Sequence, residues 1–205
     1  MANAQSIALL GFLPWTDSER GVVVRENPAA IVAERCAREL AESGISAVFV
    51  PVPVSGEGIR TAMKTIAELR SDIVIALGQT KTAPRVERFG RAPGSWSPAA
   101  PNEESPWLLA PDADVLAVEL NQWNIAAAAT EPFVPSDEAG AYFCDHLCVE
   151  LVRLARMTPI SARFLHITAI DECSAEVRAA RLDQYTRQVR AAVDWLRAHG
   201  AEARS

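Results

Sequence analysis

The segment DIVIALG, Asp72 to Gly78, restricts the fold of this chain more than any other. Its interior is β-branched and uncharged, and a glycine ends it, so it reads as a strand buried on both faces. Such a strand needs helices on either side, and the surrounding sequence supplies them. Glu26 to Gly44, ENPAAIVAERCARELAESG, has Asn27 placed to cap a helix and Pro28 suited to its first turn. Ile31, Val32, Cys36 and Leu40 then follow at helical spacing, and Gly44 marks the stop. Gly58 to Arg70 repeats the pattern with Ile59, Met63, Ile66 and Leu69. Helices are also predicted over 112–123, from near Gly140 or Ala141 to Arg156, and from Ser174 onward. The inward residues of the last two are Leu147, Leu151, Leu154 and Ala155, and then Val177, Leu182, Val189, Val193 and Leu196. Further strands are predicted at SIALLGF, at SAVFVPVPV (whose prolines confine it to an edge), within IAAAATEPFVP, and at ARFLHITA.

Strands that alternate with helices in this way predict an α/β fold. We expect a single-domain three-layer α/β/α sandwich with a mostly parallel central sheet, spanning 1–205 without repeat or linker. Two stretches fall outside the pattern. Pro14 to Glu26 is rich in turn residues, and the prolines of Gln79 to Pro111 predict a long irregular surface excursion. Trp96 and Trp107 in that excursion imply that it packs on something.

Composition narrows the function classes. A chain of 205 residues with formal charge −6 carries no run or stripe of Lys and Arg, which argues against nucleic acid as a partner. No apolar run approaches the ~20 residues that span a bilayer. The start, MANAQSIALLGFLPW, lacks the basic region of a secretory signal. Cys36, Cys144, Cys148 and Cys173 are few and scattered, so a reducing cytoplasm is the expected compartment.

In a parallel sheet, chemistry gathers at the carboxyl ends of strands and the N-termini of the helices that follow. Cys144, in the first turn of its predicted helix, His166, in FLHIT, and Glu87, in the irregular excursion, all fit that rule. Cys144 has three readings. As a packed thiol it would follow the common habit of free cysteine. As a zinc ligand with His146 it would need irregular backbone, since positions two apart on a helix diverge. As a nucleophile it would have its thiolate favoured by the positive helix end and its developing oxyanion bound by first-turn amides. A histidine would then carry the thiol proton and a carboxylate would hold the imidazole. Taken alone, His166 also reads as a core histidine and Glu87 as a solvated charge. Cys148 reads as core, and His146 and His199 as surface residues.

These residues lie in motifs that resemble pyroglutamyl peptidase I, a family of cysteine peptidases that remove N-terminal pyroglutamate. GFLPW is similar to that family's Gly-Phe-Glu-Pro-Phe, ENPA to its Asn-Pro-Ser, and DIVIALGQ to its Asp-Ile-Val-Ile-Ala-Leu-Gly-Gln. VER resembles its Glu-Arg motif, SDEAGAYFCDH its Ser-x-x-Ala-Gly-x-Tyr-x-Cys-Asn, and FLHI its Phe-Ile-His-Val. The matches run in order over nearly the whole chain. The resemblance implies a nucleophilic Cys144, a general base His166 and an orienting Glu87. It also implies Phe12 and Trp15 as walls around the lactam ring, with Gln79 in a substrate-side loop. No metal or organic cofactor is implied. The expected substrates are short peptides with a blocked N-terminus, and the expected assembly is a homo-oligomer, dimer or tetramer. The sequence departs from the family at TDSERG, at GQTKTAPR, at FGRA, and at Asp145, whose charge opposes thiolate formation beside it.

Overall fold

A computed structural model describes the protein over residues 5–17, 21–93, 115–119, 133–137, 139–140 and 143–199. Along the chain run β1 (Ile7–Phe12), β2 (Trp15–Asp17), β3 (Val22–Val24), α1 (Pro28–Glu42), β4 (Ala47–Val52), α2 (Gly56–Leu69) and β5 (Ile73–Thr80). They are followed by β6 (Arg85–Glu87), β7 (Phe89–Pro93), β8 (Val115–Glu119), β9 (Val134–Ser136), α3 (Phe143–Met157), β10 (Ser161–Thr168) and α4 (Ala175–His199). Six strands form the central sheet in the order β4-β1-β5-β10-β6-β9. Every neighbouring pair is parallel except β10 with β6.

Successive strand residues point to opposite faces, and this parity sorts the core into two halves. Ile7 and Leu9 of β1, Ile73, Ile75 and Leu77 of β5, and Leu165 and Ile167 of β10 pack against α1 and α4. The residues between them, Ala8, Leu10 and Phe12, Val74 and Ala76, Ala162 and Phe164, pack against α2 and α3. Both faces of β1, β5 and β10 are covered, so these strands need no polar alternation. The α/β sandwich with a mostly parallel sheet is therefore the observed architecture.

Helix ends follow the expected chemistry. Asn27 Oδ1 accepts the Ala29 N–H at 3.0 Å, and Ser55 Oγ accepts the Gly58 N–H at 2.9 Å. At the far end of α1, Gly44 takes a φ of 78° and donates its N–H to the Ala41 carbonyl at 2.9 Å. Strand β4, with Pro51 in it, lies at a sheet edge and, among the described residues, pairs only with β1.

Several expectations are corrected. The segment Gln79–Pro111 is not uniformly irregular: β5 extends to Thr80, β6 joins the central sheet, and β7 pairs antiparallel with β8. That pairing also replaces the helix predicted over 112–123, of which Val115–Glu119 is strand. Two valines and a ladder partner outweigh helical spacing there. The turn-rich stretch after Pro14 contains the β2–β3 hairpin. Val177 is 44% exposed rather than buried, as the first turns of α4 are mostly exposed and its buried stripe starts at Tyr185. Of the short strand expected in IAAAATEPFVP, residues 125–132 lie outside the described residues and the end falls in β9; α3 is described over Phe143–Met157. Trp96 and Trp107 lie outside the described residues.

Candidate active site

The parity that sorts the core also aims the polar side chains. His166 continues the Ala162, Phe164 series onto the α2/α3 side of β10, directly beside Gly78 of β5. On the other flank, the antiparallel register sets Glu87 opposite Phe164 and Arg85 opposite His166. Val86, between them, faces the α1/α4 core, so Glu87 and Arg85 share the histidine's face. Glu87 Oε1 lies 2.6 Å from His166 Nδ1 and 2.8 Å from Arg85 Nε. Both His166 and Glu87 are buried. Glu87 was expected in an irregular loop; it stands instead on a strand of the central sheet.

Gly78 is required by space rather than by backbone angle. A Cβ there would come within 2.9 Å of His166 Nε2 and Cδ2 and of Phe164 Cζ. Phe164 meets the imidazole edge-on, with ring centroids 5.0 Å apart. Glu87, Gly78 and Phe164 thus hold the ring from three sides. Nδ1–H is committed to the carboxylate, which leaves Nε2 for exchange with a group in the cleft.

Cys144 is the second residue of α3, and it is half-buried. Gly140, just upstream, takes a φ of 107° that favours glycine. Cys144 and His166 line one cavity of about 280 Å³. Phe12, Trp15, Val54, Ala139 and Phe143 form its apolar wall. Asn27, Gln79, Thr80, Lys81 and Arg85 add polar groups. Gln79 lies within β5, not in the loop after it, and its buried Oε1 has no hydrogen-bond partner among the described residues. All six side chains expected at the site except Glu87 line this cavity, and Glu87 reaches it through His166.

The electrostatics differ from the sequence expectation. Burial pushes the Cys144 thiol up to about 12, and Asp145 and Glu87 add to the shift while Arg85 opposes it. Desolvation leads these causes and favours the thiol form of the resting sulfur. Burial also lowers the His166 imidazole, against the raising influence of Glu87. The resting pair is neutral thiol and neutral imidazole.

His146, expected at the surface, is fully buried. It stacks with Phe143 at 6.5 Å between centroids, and burial, with a smaller push from Arg60, takes its pKa down to about 3. Cys148, one turn after Cys144, packs in the core. Among the described residues no group of three His, Cys, Asp or Glu side chains is arranged to hold a metal. Arg85 and Lys81 were not singled out from the sequence. Arg85 would have been legible had Arg85–Glu87 been recognised as a strand, where residues two apart share a face.

No protein-family profile and no curated protein sequence matches the chain. Solved structures do. The pyrrolidone carboxyl peptidase of Thermus thermophilus superposes with a TM-score of 0.64 at 20% identity, over 91% of this chain and 98% of that one. That of Fervidobacterium islandicum gives 0.62 at 20% identity, over 95% and 99%. The pyroglutamyl peptidase I of Bacillus amyloliquefaciens gives 0.59 at 22% identity, over 91% and 92%. The resemblance noted in the motifs thus extends to the whole architecture, and this divergent chain has the fold of the pyroglutamyl peptidases.

Proposed function

We propose that the chain is a single-domain cysteine exopeptidase that releases an N-terminal pyroglutamyl residue from short peptides. The observation that carries this reading is the Glu87–His166 contact opening onto the same small apolar-walled cleft as Cys144, within a fold of that kind. As the Cys144 sulfur attacks the acyl carbon, His166 Nε2 takes the thiol proton and a carbon–sulfur bond forms. The first turn of α3, whose positive helix end favours negative charge, lies beside Cys144 to stabilise the resulting oxyanion. The carbon–nitrogen bond then breaks, and Nε2 returns the proton to the leaving amine. Water attacks the thioester, Nε2 takes one of its protons, and free pyroglutamate leaves with the thiol restored.

A neutral lactam offers no charge, so its recognition rests on shape, aromatic contact and a few hydrogen bonds. Phe12 and Trp15 supply the ring contacts and Gln79 a polar group. With the thiol held up to about 12, proton transfer accompanies attack rather than preceding it. The reaction needs no metal or organic cofactor. The reading places the protein in the cytoplasm, as a homo-oligomer without nucleic-acid partners. No helix among the described residues is long and apolar enough to cross a membrane.

The same raised thiol favours a second reading, in which a catalytically silent protein binds a blocked peptide end. Cleavage of pyroglutamyl-aminomethylcoumarin by wild type and by Cys144→Ala separates the two. Wild type should release the fluorophore and Cys144→Ala should lose at least ~10³-fold in rate. A wild type without turnover, beside a Cys144→Ala that binds a pyroglutamyl peptide, would establish the silent reading; binding by neither would sink both.

A further inference from the structure

The cleft continues past the candidate catalytic side chains. A second, more polar hollow of about 520 Å³ shares two wall residues with it, Gln79 and Lys81. Lys81 is exposed and has no ion-pair partner among the described residues. Arg181, also in the wall of the hollow, has no carboxylate partner among the described residues; its Nη1 donates to Cys173 Sγ at 3.3 Å. Asp171 and Glu172 line the hollow but pair with neither cation. The cation shared with the cleft is therefore a lysine, standing where the resembling loop carries small residues.

We infer that this hollow receives the leaving group, and that Lys81 selects a leaving group with a free α-carboxylate. This rests on the proposed use of the cleft as the acyl site. In a pyroglutamyl amino acid, the carboxylate carbon lies two bonds beyond the scissile nitrogen. An anion so close to the cleaved bond falls at the passage between cleft and hollow, within reach of a lysine there. A longer or amidated peptide puts a neutral amide at that point and forfeits the charge-assisted contact. The substrate class is accordingly pyroglutamyl dipeptides with a free carboxyl end.

The test compares pyroglutamyl-alanine with its amide. The readout is the ratio of kcat/KM for acid over amide, which cancels any general loss in a variant; for a silent protein, the same ratio is read as Kd by calorimetry. Wild type should favour the acid about fivefold, the scale of a solvent-exposed charge contact. The preference should shrink at high salt, disappear in Lys81→Gln and reverse in Lys81→Glu. Equal handling of acid and amide by wild type, or a preference that survives both substitutions, overturns the inference and leaves the acyl site standing. Failure of both compounds either to turn over in wild type or to bind Cys144→Ala overturns the acyl site as well.

Discussion

A single carbon added at position 78 would occupy space taken by the imidazole of His166. Gly78→Ala should therefore displace the ring from Glu87 and lower kcat about 10²-fold, the lower end of what a well-placed acid–base group contributes, with KM little changed. Trimming the other obstructing atom, with Phe164→Leu in the same chain, should restore part of the loss. The wild-type acid limb of kcat/KM should lie below the usual histidine value, because burial lowers His166 and only its neutral form accepts the thiol proton. In Gly78→Ala that limb should move; an unchanged profile and unchanged kcat would show that the ring does not depend on the missing side chain. Cys144 and His166 were legible in sequence because each sits in a recognisable motif. Glu87 was named too, but its approach to Nδ1 depends on how β6 registers against β10, and three residues carry no signature of such pairing. His146 was misread for a different reason, since residue type predicts exposure and helix packing overrules it.

Among the elements, those with a long uncharged run or a clear one-sided apolar stripe were the readable ones. Strands β1, β5 and β10 and helices α1 and α2 follow directly from uncharged runs and helical spacing. The hairpin of β2 and β3, the ribbon of β7 and β8, and the pairing of β6 with β9 are short and depend on partners remote in sequence. Local pattern contains no partner, so these could not be found. Helix α2 offers a clean test of local energetics. Its cap, Ser55 Oγ to Gly58 N–H, involves no cleft-lining residue, although Val54 beside it is one. Ser55→Ala should cost about 1 kcal/mol of stability. Urea unfolding would measure that loss, and a larger one would mean that the cap also fixes the tight entry where Gly58 abuts Pro53.

The whole molecule keeps several titratable groups in its interior, and these make its stability depend on pH. His146 is held to about 3 in the fold against 6.5 ordinarily, so between those values the unfolded chain binds a proton that the folded one refuses. Stability must then fall as pH drops below 6.5, and His166 acts in the same direction. His146 alone accounts for about 2 kcal/mol between pH 7 and 5. On the alkaline side, Cys36 and Cys144 stay protonated in the fold up to about 12, whereas unfolded thiols ionise above ~8.5, so stability must fall again as pH rises past that value. Urea midpoints at pH 5, 7 and 9.5 should therefore peak at pH 7, with His146→Gln flattening the acid side; equal midpoints at pH 5 and 7 would contradict the burial argument. The sheet order has a further consequence, for the timing of biosynthesis. Strand β10 inserts between β5 and β6, yet it is made more than seventy residues after either. Until it emerges from the ribosome, the growing chain holds two half-sheets with open inner edges and no way to close them. Assembly of the candidate catalytic face and completion of the core are then one event, which waits for β10, and before it the nascent chain has no complete central sheet.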